Sequence, residues 1–288
     1  MLIDTHAHLN FNAFKDDADE VIRRSFDNEV WLINVGSQYE TSKRAVEIAK
    51  KYEKGVYASV GLHPIHLSTD LVKIKNDTEE IEIKTKEESF DYGKYRELAQ
   101  NPKVVAIGEV GLDYYWKPKT KGKLELFKEK QRIVLCQQLK LAEELNLPVI
   151  FHCRIAHQDL IEVLKSKIQI PNSKINPKSQ IPNSKFNGVT HCFTGNWEQA
   201  KKYLEMGLYL GFNGIIFKLN FDEIIKKTPL DRILIETDCP YLTPPPKEGR
   251  NEPLYIEYVA RKIAEIKNVY FEKVAEITTQ NAKKLFKI

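Results

Sequence analysis

The chain has 288 residues, 42% of them apolar, and a net charge of +4 at pH 7. That length suits one α/β barrel of about 250 residues, and the longest apolar runs fall short of the ~20 residues a membrane span needs, so no membrane partner is expected. The charge does not mark a nucleic-acid binder by itself: residues 165–187 contribute +5 and residues 72–93 contribute −3, leaving about +2 for the rest.

The N-terminus, MLIDTHAH, lacks the basic and apolar regions of a signal peptide, and candidate site residues begin at His6, which predicts a cytoplasmic protein. Cys136, Cys153, Cys192 and Cys239 have no zinc-finger or CxxC spacing and are expected to be reduced. Three of them directly follow a candidate ligand. Because successive strand residues face opposite ways, Cys153, Cys192 and Cys239 are expected to turn outward, toward the helices.

In chain order, β-rich runs occur at 2–5, 31–35, 56–60, 104–107, 148–151, 188–190, 208–211 and 233–236. Helical patterns occupy 14–27, 40–53, 94–101, 124–146, 156–166, 196–206 and 253–267. Eight strands alternating with helices predict parallel pairing through crossovers and closure into a (β/α)8 TIM barrel, one domain over residues 1–288. A doubly wound open sheet is the competing α/β architecture, but the early glycine-rich phosphate turn is missing. Two segments read as insertions, 72–93 and 165–187. The second repeats QIPNSK at 169–174 and 180–185, a period too short for a solenoid. It reads as a surface loop away from the site or as a basic arm touching substrate.

The chemical residues sort onto strand ends. His6 and His8 follow the first run, His63 the third, Glu109 the fourth, His152 the fifth, His191 the sixth and Asp238 the eighth, whereas His157 lies in a helix. Catalytic groups of such barrels come from the C-terminal ends of several strands. In an extended His-x-His both imidazoles point the same way, so His6 and His8 can grip one cation. Asp238 joins them when the eighth strand closes on the first, Glu109 can bridge two ions, and His152 with His191 can complete a second position. Mixed imidazole and carboxylate ligation suits Zn²⁺ or Mn²⁺ better than Mg²⁺, and one or two divalent ions are expected. Such an ion lowers the pKa of its water from about 15.7 toward about 7. Asp238 is the candidate general base, with a helix N-cap as its structural alternative.

The motifs IDTHAHLN, VGLHP, AIGEVGLDYYW, LPVIFHCRIAHQDL, THCFTG, LGFNGIIFK and ILIETDCPYLTP with RNEP run nearly end to end. On them the chain resembles the TatD family of metal-dependent deoxyribonucleases in the amidohydrolase superfamily. The resemblance implies a TIM barrel, divalent ions held by His6, His8, Glu109, His152, His191 and Asp238, and hydrolysis of DNA phosphodiesters, most readily from a 3′ end. DNA is then the expected partner, and no obligate protein partner is evident. Two departures stand out: PPPKEGRNEP replaces a more basic loop, and Ile155 stands where an aspartate often follows HCR.

Substrate contacts are expected from His63, Arg154, Arg250 and Asn251, arginine suiting phosphate by its planar fork. The alternatives are an outward salt bridge for Arg154, a loop-structuring role for RNEP and a local hydrogen bond for His63. Tyr114, Tyr115 and Trp116 read as a base-stacking platform or as a packed aromatic lid. The competing activity is hydrolysis of a small amide, ester or phosphotriester, or of aminoacyl-tRNA. Glu109 stands where a carbamylated lysine would mark other branches of the superfamily. A non-catalytic metal-binding scaffold would have lost ligands, and none is lost.

Overall fold

In the computed structural model, eight parallel strands pair in chain order, each with the next. The structure describes residues 1–67, 80, 87–166 and 186–288, so most of the 72–93 segment and the QIPNSK repeat lie outside the described residues. The order is β1 (Leu2–Ala7), α1 (Ala18–Asp27), β2 (Val30–Val35), α2 (Tyr39–Lys50), β3 (Val56–Val60), α3 (Tyr92–Ala99), β4 (Val104–Asp113) and α4 (Lys121–Leu145). It continues with β5 (Val149–Arg154), α5 (His157–Ser166), β6 (Gly188–Thr190), α6 (Trp197–Glu205), β7 (Tyr209–Phe212), α7 (Asp222–Lys227), β8 (Ile233–Ile235), α8 (Ile256–Lys267) and α9 (Phe271–Phe286).

All eight expected strands and all seven expected helices are present, within a few residues except at the end of β4, which runs on to Asp113. Both faces of the sheet are covered, which is why the strand runs are apolar without alternation. The outer cluster packs Leu2, Leu32, Val56, Val104, Val149 and Leu210 against helix residues such as Val21, Ala45, Leu135 and Ile263. Inside the barrel, Ile3, Ile33, Val105, Ile150, Val189 and Leu234 form a second cluster with Leu285 and Phe286 of α9. The last helix therefore packs on the barrel interior and covers the end opposite the strand C-termini.

Closure of β8 on β1 is lighter than any other strand pairing. It consists of an isolated bridge between Ala7 and Cys239, with the Asp238 amide donating to the His6 carbonyl at 2.8 Å and the His8 amide to the Cys239 carbonyl at 3.0 Å. Buried Asp4 reinforces the seam: its Oδ1 accepts from the Thr237 amide at 2.9 Å and the His6 amide at 3.1 Å.

The registers break where the site begins. The β1–β2 pairing shifts between Asp4 and Ala7, which brings His6 to the same interior as Ile3 despite the odd spacing. The β4–β5 pairing shifts between Ile107 and Val110, around Glu109. Such irregularities re-aim side chains beside active sites. Gly111 permits the close approach that follows: a Cβ there would sit 1.9 Å from the His152 carbonyl oxygen.

Candidate metal centre

The six expected ligands converge at the C-terminal mouth of the barrel. His6 and Glu109 lie in strands, His8 and His191 just beyond them, His152 near the end of β5, and Asp238 three residues past β8. Glu109 lies within a strand because β4 runs on to Asp113, six residues beyond the expected 104–107 run and paired with β5 from Val110 to Asp113, and His152 because β5 runs to Arg154. Asp238 adopts φ +59°, an uncommon left-handed conformation fixed by its backbone bond to His6.

The donor atoms lie at the spacing one ion requires. His6 Nε2 is 3.1 Å from His8 Nε2, 3.4 Å from Glu109 Oε2 and 3.8 Å from Asp238 Oδ1, while His8 Nε2 is 3.4 Å from Asp238 Oδ1. Four ligands at about 2.1 Å from a tetrahedral ion lie about 3.4 Å from one another. Glu109 faces two ways: Oε1 lies 2.7 Å from His152 Nδ1 and 3.7 Å from His191 Nε2, whereas Oε2 faces His6. That is the geometry a bridging carboxylate needs. His6, Glu109 and His191 form one compact donor group, and His6, His8 and Asp238 another.

The surroundings fix which nitrogens can bind. His8 Nδ1 donates to the Val35 carbonyl at 2.8 Å, which leaves Nε2 with a free lone pair aimed at the cluster. His191 Nδ1 lies 2.9 Å from Glu236 Oε1, an ion-pair contact whose angle does not meet that of a hydrogen bond. His63 is wired the opposite way: its Nδ1 accepts from the Ile65 amide at 3.1 Å, so in the neutral ring the proton sits on Nε2, 3.6 Å from Glu109 Oε1. His63 is thus a donor into the mouth, which suits contact with an anionic oxygen rather than ligation.

Electrostatics favour positive charge at the centre. Burial would raise the Glu109 carboxyl, but the His191 charge and the hydrogen bond from His152 hold it well below its ordinary range. Asp238 is likewise held low against burial, by the His191 charge and the hydrogen bond from His8. Burial opposes protonation of His191, yet Glu236, Asp238 and Glu109 push it up to about 10; Asp113 and Glu109 push His152 up to about 9. These buried imidazolium charges occupy positions a divalent cation would take, releasing the protons. Burial and His191 lower the His6 pKa, keeping that ring neutral and fit to ligate. Burial and His152 lower His63 to about 3, so it enters the mouth uncharged. The donor set fits one or two divalent ions.

The mouth is a cavity of about 490 Å³ lined by His8, His63, Glu109, His152, His191 and Asp238 among others, and Arg154 stands on its rim. Arg250 and Asn251 do not line it. Arg250 pairs with Asp17 at 3.0 Å, donates to the Ala13 carbonyl at 2.6 Å and lies 4.2 Å over the Phe14 ring. Asn251 is fully buried and donates to the carbonyls of Thr237 and Tyr241 at 3.0 and 2.6 Å. Both take the loop-structuring role that was the alternative to the expected phosphate contact: RNEP clasps the β8 loop to the β1–α1 loop. Cys192 also departs from expectation. With φ +43°, its thiol turns into the mouth, 3.6 Å from Asn213 Oδ1, whereas Cys153 faces Tyr203 of α6 at 3.8 Å and Cys239 is buried.

Two carboxylates beside the candidate ligands were not singled out in the sequence. Asp113 Oδ2 lies 3.2 Å from His152 Nε2, and Glu236 backs His191. The available signal was position: Asp113 follows Glu109 by four residues along one long strand, and Glu236 precedes Asp238 by two.

Comparison with known proteins gives a consistent likeness. Residues 3–287 match the family model described as TatD related DNase. The chain is 40% identical over 293 residues to a Bacillus subtilis (strain 168) protein named uncharacterized metal-dependent hydrolase YabD, with 100% of both chains covered. It is 31% identical over 298 residues to the 3'-5' ssDNA/RNA exonuclease TatD of Shigella flexneri serotype 5b, covering 100% of this chain and 99% of the other. The solved structure of the TatD homolog YJJV from Escherichia coli K12 superposes with a TM-score of 0.77 at 27% identity, covering 100% and 98% of the two chains.

Proposed function

The chain belongs to the TatD family of metal-dependent hydrolases, and from that premise we propose that it hydrolyses phosphodiester bonds of DNA, removing nucleotides from a 3′ end. The observation that carries this reading is an open mouth in which two carboxylates and four imidazoles converge beside an uncharged donor, His63, and a rim cation, Arg154. A small neutral substrate needs no cation on the rim; a phosphodiester does. A relative named as a 3'-5' ssDNA/RNA exonuclease, 31% identical along the whole chain, adds to the same reading.

His6, His8, Glu109, His152, His191 and Asp238 would hold the divalent ions. Bound there, the ions supply an acidified water and charge neutralisation at a phosphate oxygen. Asp238, held ionised by its imidazole neighbours and with 17% of its side chain open to the mouth, orients the attacking water and takes its proton. Glu236 holds the His191 ring, and Asp113 holds that of His152. The His63 Nε2–H donates to a non-bridging phosphate oxygen, a hydrogen bond strengthened by the anionic acceptor. The four cysteines are free, which fits a reducing, cytoplasmic setting, and no helix among the described residues is long and apolar enough to cross a membrane.

The test incubates metal-stripped protein with 5′-labelled single- and double-stranded DNA and with RNA, adding Mg²⁺, Mn²⁺ or Zn²⁺ separately. A ladder shortening from the 3′ end, lost in Asp238→Asn, is the expected result. Absence of cleavage with every ion, alongside turnover of a small ester or amide, would sink the assignment.

A further inference from the structure

Three consecutive aromatic residues leave β4, and the fold separates them. Tyr114 is 5% exposed and donates its hydroxyl to Asp159 Oδ2 at 3.0 Å, whereas Tyr115 and Trp116 are each 47% exposed. Their rings stand edge to face, centroids 5.0 Å apart at 89°. Over the Tyr115 ring, at 3.7 Å, lies the Arg154 guanidinium, whose side chain is 45% exposed and whose Nη1 is 4.0 Å from Asp113 Oδ2. Nothing in the metal centre uses these rings.

The group is rigidly tied to the site. The Tyr115 amide donates to Asp113 Oδ1 at 2.8 Å, and the Tyr114 amide to the Arg154 carbonyl at 2.9 Å. Asp113 also touches His152, so the aromatic pair is indexed to the ligands through one side chain and one strand pairing. Tryptophan is strongly buried on average in folded chains, and an exposed aromatic pair beside a catalytic mouth marks a binding surface. One face of the guanidinium is occupied by Tyr115, which fixes its plane, and its ion pair with Asp113, at 4.0 Å, is too long for a hydrogen bond, so its N–H groups can still take an anion. Phosphate on the arginine and an aromatic ring beside it are the two halves of a nucleotide.

Resting on the nuclease reading, we propose that Tyr115, Trp116 and Arg154 form a nucleotide subsite at the rim. A nucleobase stacks on Trp116, and the phosphate of the same nucleotide pairs with Arg154 held flat by Tyr115. Stacking accepts every base, because each has a π face, and it requires an unpaired base, because duplex bases already stack on each other. Trp116 and Tyr115 are positioning residues, and the subsite reads the substrate as a strand end rather than as a sequence.

The test compares metal-loaded wild type, Trp116→Ala and Trp116→Phe on two substrates: a single-stranded oligothymidylate and the same oligomer with abasic sugars at its last three 3′ positions. Trp116→Ala is expected to raise KM on the oligothymidylate about tenfold or more with kcat within twofold, and to leave the abasic oligomer unchanged. Trp116→Phe should recover most of the loss. Equal kinetics of Trp116→Ala and wild type on oligothymidylate would overturn the subsite while the nuclease reading stands. So would an equal loss on both oligomers, or a change of molecular mass in light scattering with kinetics unmoved, which would assign the rings to a contact between copies of the chain. A wild type that cleaves neither oligomer but turns over a small ester overturns the nuclease reading and the subsite together.

Discussion

His8 and His63 face the same cavity and are separated in role by what their Nδ1 atoms touch. A carbonyl at Nδ1 of His8 frees Nε2 as a ligand, and an amide at Nδ1 of His63 makes Nε2 a donor. His8→Ala should therefore lower metal content measured by elemental analysis, while His63→Ala should keep it within twofold and lower kcat/KM about 10- to 150-fold, the worth of a hydrogen bond to a charged group. Metal loss in His63→Ala would contradict the tautomer assignment. A second residue-scale expectation concerns His157, which is buried against Tyr203 and Phe193 and whose pKa burial lowers to about 4. The unfolded chain has the ordinary value near 6.5 and so takes up the proton first as pH falls. Stability is fully present above pH 6.5 and is lost toward pH 4, by about 2 kcal/mol at pH 5 for this residue alone. His157→Gln should shrink the urea-midpoint difference between pH 7.5 and pH 5 relative to wild type; an unchanged difference would refute it. At this scale the sequence was legible where types pair at short spacing, as in His6 and His8. It was not legible where partners are remote: nothing in RNEP says that Asp17, more than 230 residues earlier, captures Arg250.

Strands were readable as elements because parallel barrel strands, buried on both faces, stand out as short apolar β-branched runs between helical patterns. Two helices were missed for different reasons. The six-residue α7 is too short to display a period, and α9 follows a barrel whose eight strand–helix units were already complete. The α9 sequence nonetheless has a helical stripe, Val274, Ala275, Thr278, Ala282 and Leu285, all buried. Its small and hydroxylated members dilute the hydrophobic signal. Because Leu285 and Phe286 join the interior cluster with Ile3, Ile33 and Ile150, α9 is part of the barrel core rather than an appendage. Phe286→Ala should lower unfolding stability by about 3–5 kcal/mol, the usual cost of emptying a buried phenylalanine site. Metal stoichiometry should not change, because the ligands lie at the other end of the barrel. A loss under 1 kcal/mol in denaturant titration would show that the helix merely rests on the fold.

For the whole molecule, the decisive feature is where the ligands lie relative to the closure of the barrel. His6 stands on β1, His8 just beyond it, and Asp238 follows β8, so the centre spans the lightest seam, held by one bridge, two backbone hydrogen bonds, the Thr5 hydroxyl bond to the Ile235 carbonyl and the Asp4 contacts. A cation ligated from both sides cross-links the first and last strands and closes a ring that backbone pairing closes only weakly. Binding to the folded state alone contributes about 2.7 kcal/mol when free metal is 100 times its Kd, which for a chain of this size raises Tm by about 4–5 °C. The increment should be local as well as global. The amides of His8 and Asp238, which donate across the seam, should exchange with deuterium about 100-fold more slowly once metal is bound, while surface amides of α4 stay the same. Asp238→Asn removes one carboxylate from the span and should abolish most of both effects. Full metal occupancy with unaltered seam exchange would mean that the barrel is already locked by its backbone, and that the metal serves chemistry alone.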